Sequence, residues 1–404
     1  MRLHRNLVFA AIDALHLIFN ENKQADKALK DILKRDKRWG SRDRSFIAET
    51  VYDIVRWKRL YAEIAEVRQP YDRTNLFRLF TVWATLKGIQ LPDWKQLEKT
   101  PTRRIKGRFD ELSKIRKYKE SIPDWLDELG DKALGASWGK ELTALNQIAP
   151  VVLRANTLKI GVKELRDVLA REDVDTIRLE EYPNALQLVE RQNVFITSAF
   201  KEGFFEVQDA ASQLVAPILD VQSGMRIVDA CAGAGGKSLH LAALMENKGQ
   251  LIAMDIYASK LQELKRRARR AGVHNLEARV ISSSKDIKRL HGKADRLLID
   301  APCTGLGTIR RNPDIKWKLQ PDFLKEITAT QQTLITQYSK MVKPGGIMVY
   351  ATCSILPQEN ENQITHFLKT ESGKDFKLSK KIHHSPHKNG YDGFYMAQLT
   401  RKVE

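Results

Sequence analysis

From Gly224 onward the chain alternates short apolar runs with amphipathic stretches, and no other feature limits its folds so tightly. Residues 225–230 (MRIVDA) predict a buried strand, followed by a glycine-rich turn and a helix over 237–245. A second strand is predicted at 250–255, a second helix at 259–271, and further strands at 276–281, 296–300 and 346–351. Strand-then-helix alternation of this kind builds an open, mostly parallel α/β sheet with helices on both faces. In such sheets ligands bind outside the carboxyl ends of the strands, so chemistry is expected to collect there.

The front of the chain has a different texture. Leu7, Ala10, Ala11, Ala14, Leu15 and Ile18 follow helical spacing, as do Phe46, Ile47, Val51, Ile54 and Val55, and then Leu76, Phe77, Leu79, Phe80, Val82 and Trp83. The opening apolar stretch is broken by Asp13 and His16, which favours an amphipathic helix of the mature protein over a signal peptide. Residues 1–125 therefore read as an all-α domain. From about Pro150, VVLRANTLK reads as a strand, GVKELRDVLARED as a helix, and ALQLV and GFFEVQD as short extended pieces. Residues 126–204 thus form a linker and a small α+β module, and 205–404 form the α/β domain. A chain begun near Ile148 is expected to fold, because the sheet has its own core.

Charge points to a polyanionic partner. The 404 residues carry a formal net charge of +18. Residues 1–150 hold 30 basic and 21 acidic side chains, so half of the excess lies in that part. Its densest run is TRRIKGRFDELSKIRKYKE at 102–120, which reads equally as a solvated helical face and as a phosphate-contacting surface. No apolar run approaches the ~20 residues of a membrane helix. Three cysteines cannot staple a chain this long, which implies a reducing compartment, the cytoplasm.

The motifs sit at predicted strand ends. DACAGAGGK (229–237) offers a sharp glycine turn with helix-start N–H groups, but it lacks both a full GxGxxG and P-loop spacing, which would need glycine where Cys231 stands. Asp255 closes the next strand, where an acid accepts hydrogen bonds from ribose hydroxyls. The pair suits a nucleoside-type cofactor such as S-adenosylmethionine better than a dinucleotide. LLIDAPCTGLG places Asp300, Pro302 and Cys303 after one apolar strand, and MVYATCSILPQEN places Cys353 after another. Two such thiols without CxxC spacing or nearby histidines make a poor metal site, so no metal is expected. Spacing alone does not rank Cys303 against Cys353. Cys231 reads as core filler, His383, His384 and His387 (HHSPH) as a solvated loop, and LKRRARRAG (264–272) as a solvated helix face with RNA contact as the second reading.

DACAGAGGK, IDAPCTGLGTIRRNPDIKW and YATCSILPQENE together resemble the RNA cytosine-C5 methyltransferase family, in particular its bacterial Fmu/RsmB-type enzymes acting on small-subunit ribosomal RNA. RDRSFIAETVYDIVRWK is similar to the NusB-like helical RNA-binding domain of that subgroup, and LRANTLK with GFFEVQDAASQLVAP is similar to the segment before the catalytic domain. Two departures stand out. Ala234 occupies the place of proline in the family's turn, and serines at 282–284 stand where the family commonly has an aspartate facing the adenine. The resemblance implies a Rossmann-like class I methyltransferase domain. It assigns the nucleophile to Cys353, release of the covalent product to Cys303, hydrogen bonding of the base to Asp300, and support of base or Asp300 to Lys237. Cofactor contacts are expected from Ala232, Gly233, Ala234, Gly235, Gly236, Lys237, Asp255, Ser283 and Asp300. RNA contacts are expected from Arg310, Arg311 and Lys316 after the first thiol motif and from Arg103, Arg104, Lys106 and Arg108 in the front domain. The expected substrate is ribosomal RNA, the expected state a monomer. The same chemistry on transfer RNA, or a catalytically silent assembly factor, are the alternatives, and the presence of both thiols argues against the second.

Overall fold

A computed structural model describes residues 3–98 and 102–403. The chain divides into two compact units, one of residues 1–147 with 309–321, the other of 148–308 with 322–404.

The first unit is helical. Helices Arg5–Phe19, Ser41–Arg56 and Arg73–Leu86 bury the three predicted stripes in one core, where Ile12, Leu15, Val51, Ile54, Leu79 and Phe80 are each fully buried. Helices Asp124–Leu134 and Trp138–Leu145, beyond the expected boundary at 125, pack within this compact unit, which runs to 147. Trp138 is fully buried and its indole N–H donates to Asp127 Oδ1 at 2.8 Å. Gly130 makes room for that ring, since a Cβ there would lie 2.2 Å from it. The unit is completed by residues 309–321, which the chain supplies much later.

The second unit contains two sheets. The smaller is antiparallel, of β1 (Val152–Ala155), β2 (Thr176–Arg178), β3 (Ala185–Leu188) and β4 (Phe205–Val207) in the order β2-β3-β1-β4. Helix Val162–Ala170 buries Leu165 and Leu169 against Leu153, Leu186 and Phe205.

The larger sheet runs β10-β11-β9-β8-β5-β6-β7, from β5 (Arg226–Asp229), β6 (Gln250–Asp255), β7 (Leu276–Val280), β8 (Ala294–Asp300), β9 (Val342–Thr352), β10 (Phe376–His384) and β11 (Phe394–Arg401). Strands β5 to β9 pair in parallel, while β11 pairs antiparallel with both β9 and β10. The central strands are apolar on both faces: Val228, Ile252, Leu297 and Met348 pack into one core, and Ile227, Leu251, Leu298 and Val349 into the other. The chain moves outward from β5 through β6 to β7, then returns to β8 on the other side of β5. That reversal opens the crevice where such sheets hold ligands. Strands β10 and β11 were not expected, and they correct the reading of HHSPH as a solvated loop. His384 ends β10 almost wholly buried, with Nε2 2.7 Å from Tyr182 Oη and Nδ1 2.9 Å from Asp392 O.

Candidate active site

The glycine turn after β5 is shaped by two residues with positive φ, Gly233 (54°) and Gly235 (87°). At Gly235 a side chain is excluded as well, since a Cβ would meet Leu264 at 2.6 Å. At Gly233 nothing lies within 4 Å of that position, which leaves the backbone open to an approaching ligand. Gly233 N–H donates to Asp255 Oδ2 and Tyr257 N–H to Asp255 Oδ1, both at 2.8 Å. The two bonds fix the carboxylate at the end of β6 and leave further lone pairs for hydroxyl donors. Ile256 and Tyr257, just beyond it, are 59% and 55% exposed, an apolar ledge beside an acid. Sequence reasoning missed this ledge, although the run IY after a strand-ending aspartate carries a signal for it.

Behind the turn, the buried Asp229 accepts from Ser238 Oγ through Oδ2 at 2.6 Å. Burial above all, then the charge of Asp300, pushes its carboxyl up to about 7. Two arginines hold the turn's carbonyls from outside. Arg267 donates to Ala234 O and Arg154 to Gly236 O, each at 2.8 Å. Arg267 and Arg270 also pair with the buried Glu206 of β4, so these two side chains of the LKRRARRAG helix are committed inside the unit rather than solvated. An open glycine backbone, a fixed carboxylate with spare lone pairs and an apolar ledge fit a nucleoside. Ser283 caps the short helix after β7 with Asp286, and Ile281 N–H donates to Asp255 O at 3.0 Å, so the serine run starts beside β6.

At the ends of β8 and β9 the parallel register sets Asp300 opposite Ala351. Lys237 Nζ lies 2.6 Å from Asp300 Oδ2 and 5.2 Å from the centre of the Phe394 ring. Burial draws the Lys237 ammonium down, but the Asp300 carboxylate more than offsets this and its pKa ends raised. Cys303 Sγ and Cys353 Sγ stand 3.2 Å apart, both as free thiols. The hydrogen bond with Cys353, followed by burial, holds the Cys303 thiol well above its ordinary range. Cys231 instead packs against the sheet core, and burial pushes its thiol up.

Glu359 was missed by sequence reasoning. Its carboxylate is fully buried and accepts from Thr304 N–H at 2.8 Å, Thr304 Oγ1 at 2.5 Å, Ser354 Oγ, and Gln331 Nε2 at 3.1 Å. A glutamate inside PQENEN reads as surface, and only its place six residues after a thiol hinted otherwise.

Two of the expected RNA contacts are corrected. Lys316 is buried in the helical unit, donating to Arg56 O at 2.8 Å, Asn146 Oδ1 at 3.0 Å and Glu120 O at 3.3 Å. Arg310 is buried too, with Nη2 3.2 Å from Ala144 O, while Arg56 Nη2 donates to Arg310 O at 2.8 Å. Neither cation is offered to a phosphate, because the helical core claims both. Arg108 is half-buried on Glu66 and on Glu63 O, whereas Arg103, Arg104 and Lys106 are exposed and Arg311 is partly so. Among the described residues no group of acids, histidines or cysteines could hold a metal, and no helix is long and apolar enough to cross a membrane.

Residues 216–400 match the family model for 16S rRNA methyltransferase RsmB/F, and 122–195 match one for an RsmF/B-like methyltransferase ferredoxin-like domain. A probable ribosomal RNA small subunit methyltransferase B from Synechocystis is 34% identical, over 70% of this chain and 67% of that protein. A protein of the same description from Bacillus subtilis is 27% identical over 97% of this chain and 98% of its own length. Among solved structures, that of PH0851 is similar with a TM-score of 0.83 and 28% identity, covering 99% of both chains.

Proposed function

This chain belongs to the RsmB/F family of 16S rRNA methyltransferases, and from that premise we propose that it methylates carbon-5 of a cytosine in small-subunit ribosomal RNA through a covalent cysteine–base intermediate. The observation that carries the proposal is the pair of thiols, 3.2 Å apart beside the Lys237–Asp300 pair. Carbon-5 of cytosine is a poor nucleophile. A thiolate that adds at carbon-6 turns the ring into an enamine whose carbon-5 can take a methyl group. Cys353 is the proposed nucleophile. The order follows the family resemblance of the two thiol motifs, and the 3.2 Å between the sulfurs lets both reach one base. Once carbon-5 is methylated, its proton leaves to a base, the electron pair re-forms the 5,6 double bond, and the Cys353 sulfur departs. Cys303 serves that release. Asp300, held by Lys237, hydrogen-bonds the base and favours protonation at N3, which makes carbon-6 more electrophilic.

S-adenosylmethionine is the cofactor of this family, and it supplies an electrophilic methyl on a sulfonium. The proposed contacts are the open backbone of Ala232, Gly233, Ala234, Gly235 and Gly236, with Lys237, Asp255, Ser283 and Asp300. The helical unit, read as NusB-like, is proposed to bind RNA phosphates through Arg103, Arg104, Lys106 and Arg311. The protein is proposed to act as a monomer in the cytoplasm. The target base must be unstacked, so a loop or opened helix is the expected site.

The test has two parts. Bisulfite sequencing of total RNA from a deletion strain should show one or more cytosines of small-subunit RNA losing protection, and a loss confined to transfer RNA would move the substrate. In the purified protein, Cys353→Ala should abolish transfer while keeping S-adenosylmethionine binding. Cys303→Ala should accumulate a protein–RNA adduct that survives denaturing electrophoresis. The reverse pattern would exchange the two roles.

A further inference from the structure

We propose that Glu359 is a positioning residue that ties the Cys303 loop to the Cys353 loop, so that both thiols reach one base as a pair. The inference rests on the cytosine-C5 reading and extends it to a residue of the second thiol motif that had been given no role. A fully buried carboxylate is tolerated only when its lone pairs are filled. Here the donors come from Thr304, directly after Cys303, from Ser354, directly after Cys353, and from Gln331. Gln331 Nε2 also donates to Pro302 O at 2.9 Å, so it braces the residue on the other side of Cys303. One carboxylate therefore joins the two loops that leave β8 and β9, each at the residue next to a thiol.

An apolar side chain of similar volume would fill the space at less cost than a buried ion, and it would join nothing. The joining matters because the two sulfurs perform different steps on one ring. Addition needs Cys353 at carbon-6, and release needs Cys303 close by. The 3.2 Å separation of the sulfurs depends on two loops that belong to different strands. The same carboxylate also contributes to keeping the proton on Cys303.

The test uses the full chain, a transcript of small-subunit ribosomal RNA and S-adenosylmethionine. Glu359→Gln keeps the shape and the acceptor for Thr304 N–H and Gln331, but loses the charge that gathers both hydroxyls. Its melting temperature and S-adenosylmethionine affinity should stay close to wild type. Its single-turnover methylation should fall about tenfold or more, with adduct persisting on denaturing gels. Thr304→Val should share the defect, and the double variant should be no slower than Glu359→Gln alone within about twofold, because both changes cut one linkage. A wild-type rate for Glu359→Gln would overturn the proposal, as would losses that multiply in the double variant. Wild-type protein that leaves no 5-methylcytosine would sink the C5 reading and this inference with it. Wild-type 5-methylcytosine beside an unimpaired Glu359→Gln removes the inference alone.

Discussion

Asp229 is an acid kept from water directly behind the glycine turn, and that has a thermodynamic consequence. Its carboxyl titrates at about 7 instead of 3.8 because burial, then Asp300, disfavour the anion. The folded state thus holds the proton more tightly than the unfolded chain. The stability this contributes is complete below the unfolded value and is lost as pH rises through about 7. Asp229→Asn carries no charge and can still accept from Ser238. Its melting temperature relative to wild type should therefore climb between pH 5 and pH 8, measured without cofactor. A constant difference across that range would show that Asp229 does not titrate there. At this scale the sequence was legible where chemistry has a signature. Cys303, Cys353, Asp300 and Asp255 follow apolar strands, and Lys237 starts the helix after a glycine turn. Glu359 and Arg267 were not legible, since their roles come from partners far along the chain, and glutamate or arginine in a polar run looks like surface.

The segment 309–321 shows the same limit for an element. RRNPDIKWK looks like a basic loop, and nothing local reveals that its acceptors lie in helices more than 160 residues earlier. In the structure Trp317 Nε1 donates to Val55 O at 2.6 Å and Asp314 Oδ2 accepts from Ala25 N–H at 3.0 Å. Lys316→Met should remove three buried hydrogen bonds of one ammonium and cost about 3 kcal/mol or more, read from chemical denaturation. It should not change the salt dependence of RNA binding. Arg103→Ala and Arg104→Ala should do the opposite, leaving stability within about 0.5 kcal/mol and flattening the salt slope by about 0.7 for each single-strand phosphate that is no longer neutralised. A flatter slope for Lys316→Met would restore it as an RNA-binding residue. By contrast, the parallel strands and the helix after the glycine turn were predicted nearly at their observed bounds, because burial on both faces writes itself into continuous apolar runs.

For the whole molecule, the inserted segment revises the expectation that a chain begun near Ile148 folds by itself. The large sheet keeps its cores in such a chain. Residues 309–321, however, are deprived of Arg56, Glu120, Ala144 and Asn146, and the partly buried Trp317 loses the helical core it packs against. The truncated chain should aggregate or bind a hydrophobic dye, and co-expression with residues 1–147 should restore a soluble complex that methylates RNA. Full solubility and unchanged methylation by the truncated chain alone would refute this. The helical and the α/β stretches were legible as separate parts of the sequence; the return of 309–321 to the helical unit was not.

The order in which the ribosome releases the chain gives that shared segment another meaning. Residue 147 emerges long before residue 321, an interval on the order of ten to thirty seconds at ~5–20 residues per second. Throughout it, Asn146 Oδ1 and the carbonyls of Arg56 and Glu120 lack the Lys316 ammonium. The helical unit therefore matures only after the first four strands of the large sheet, β5 to β8, and the Cys303 loop have been synthesised. A nascent protein whose helical unit is complete thus already carries β5 to β8 and the Cys303 loop, with β9 and Cys353 still to come.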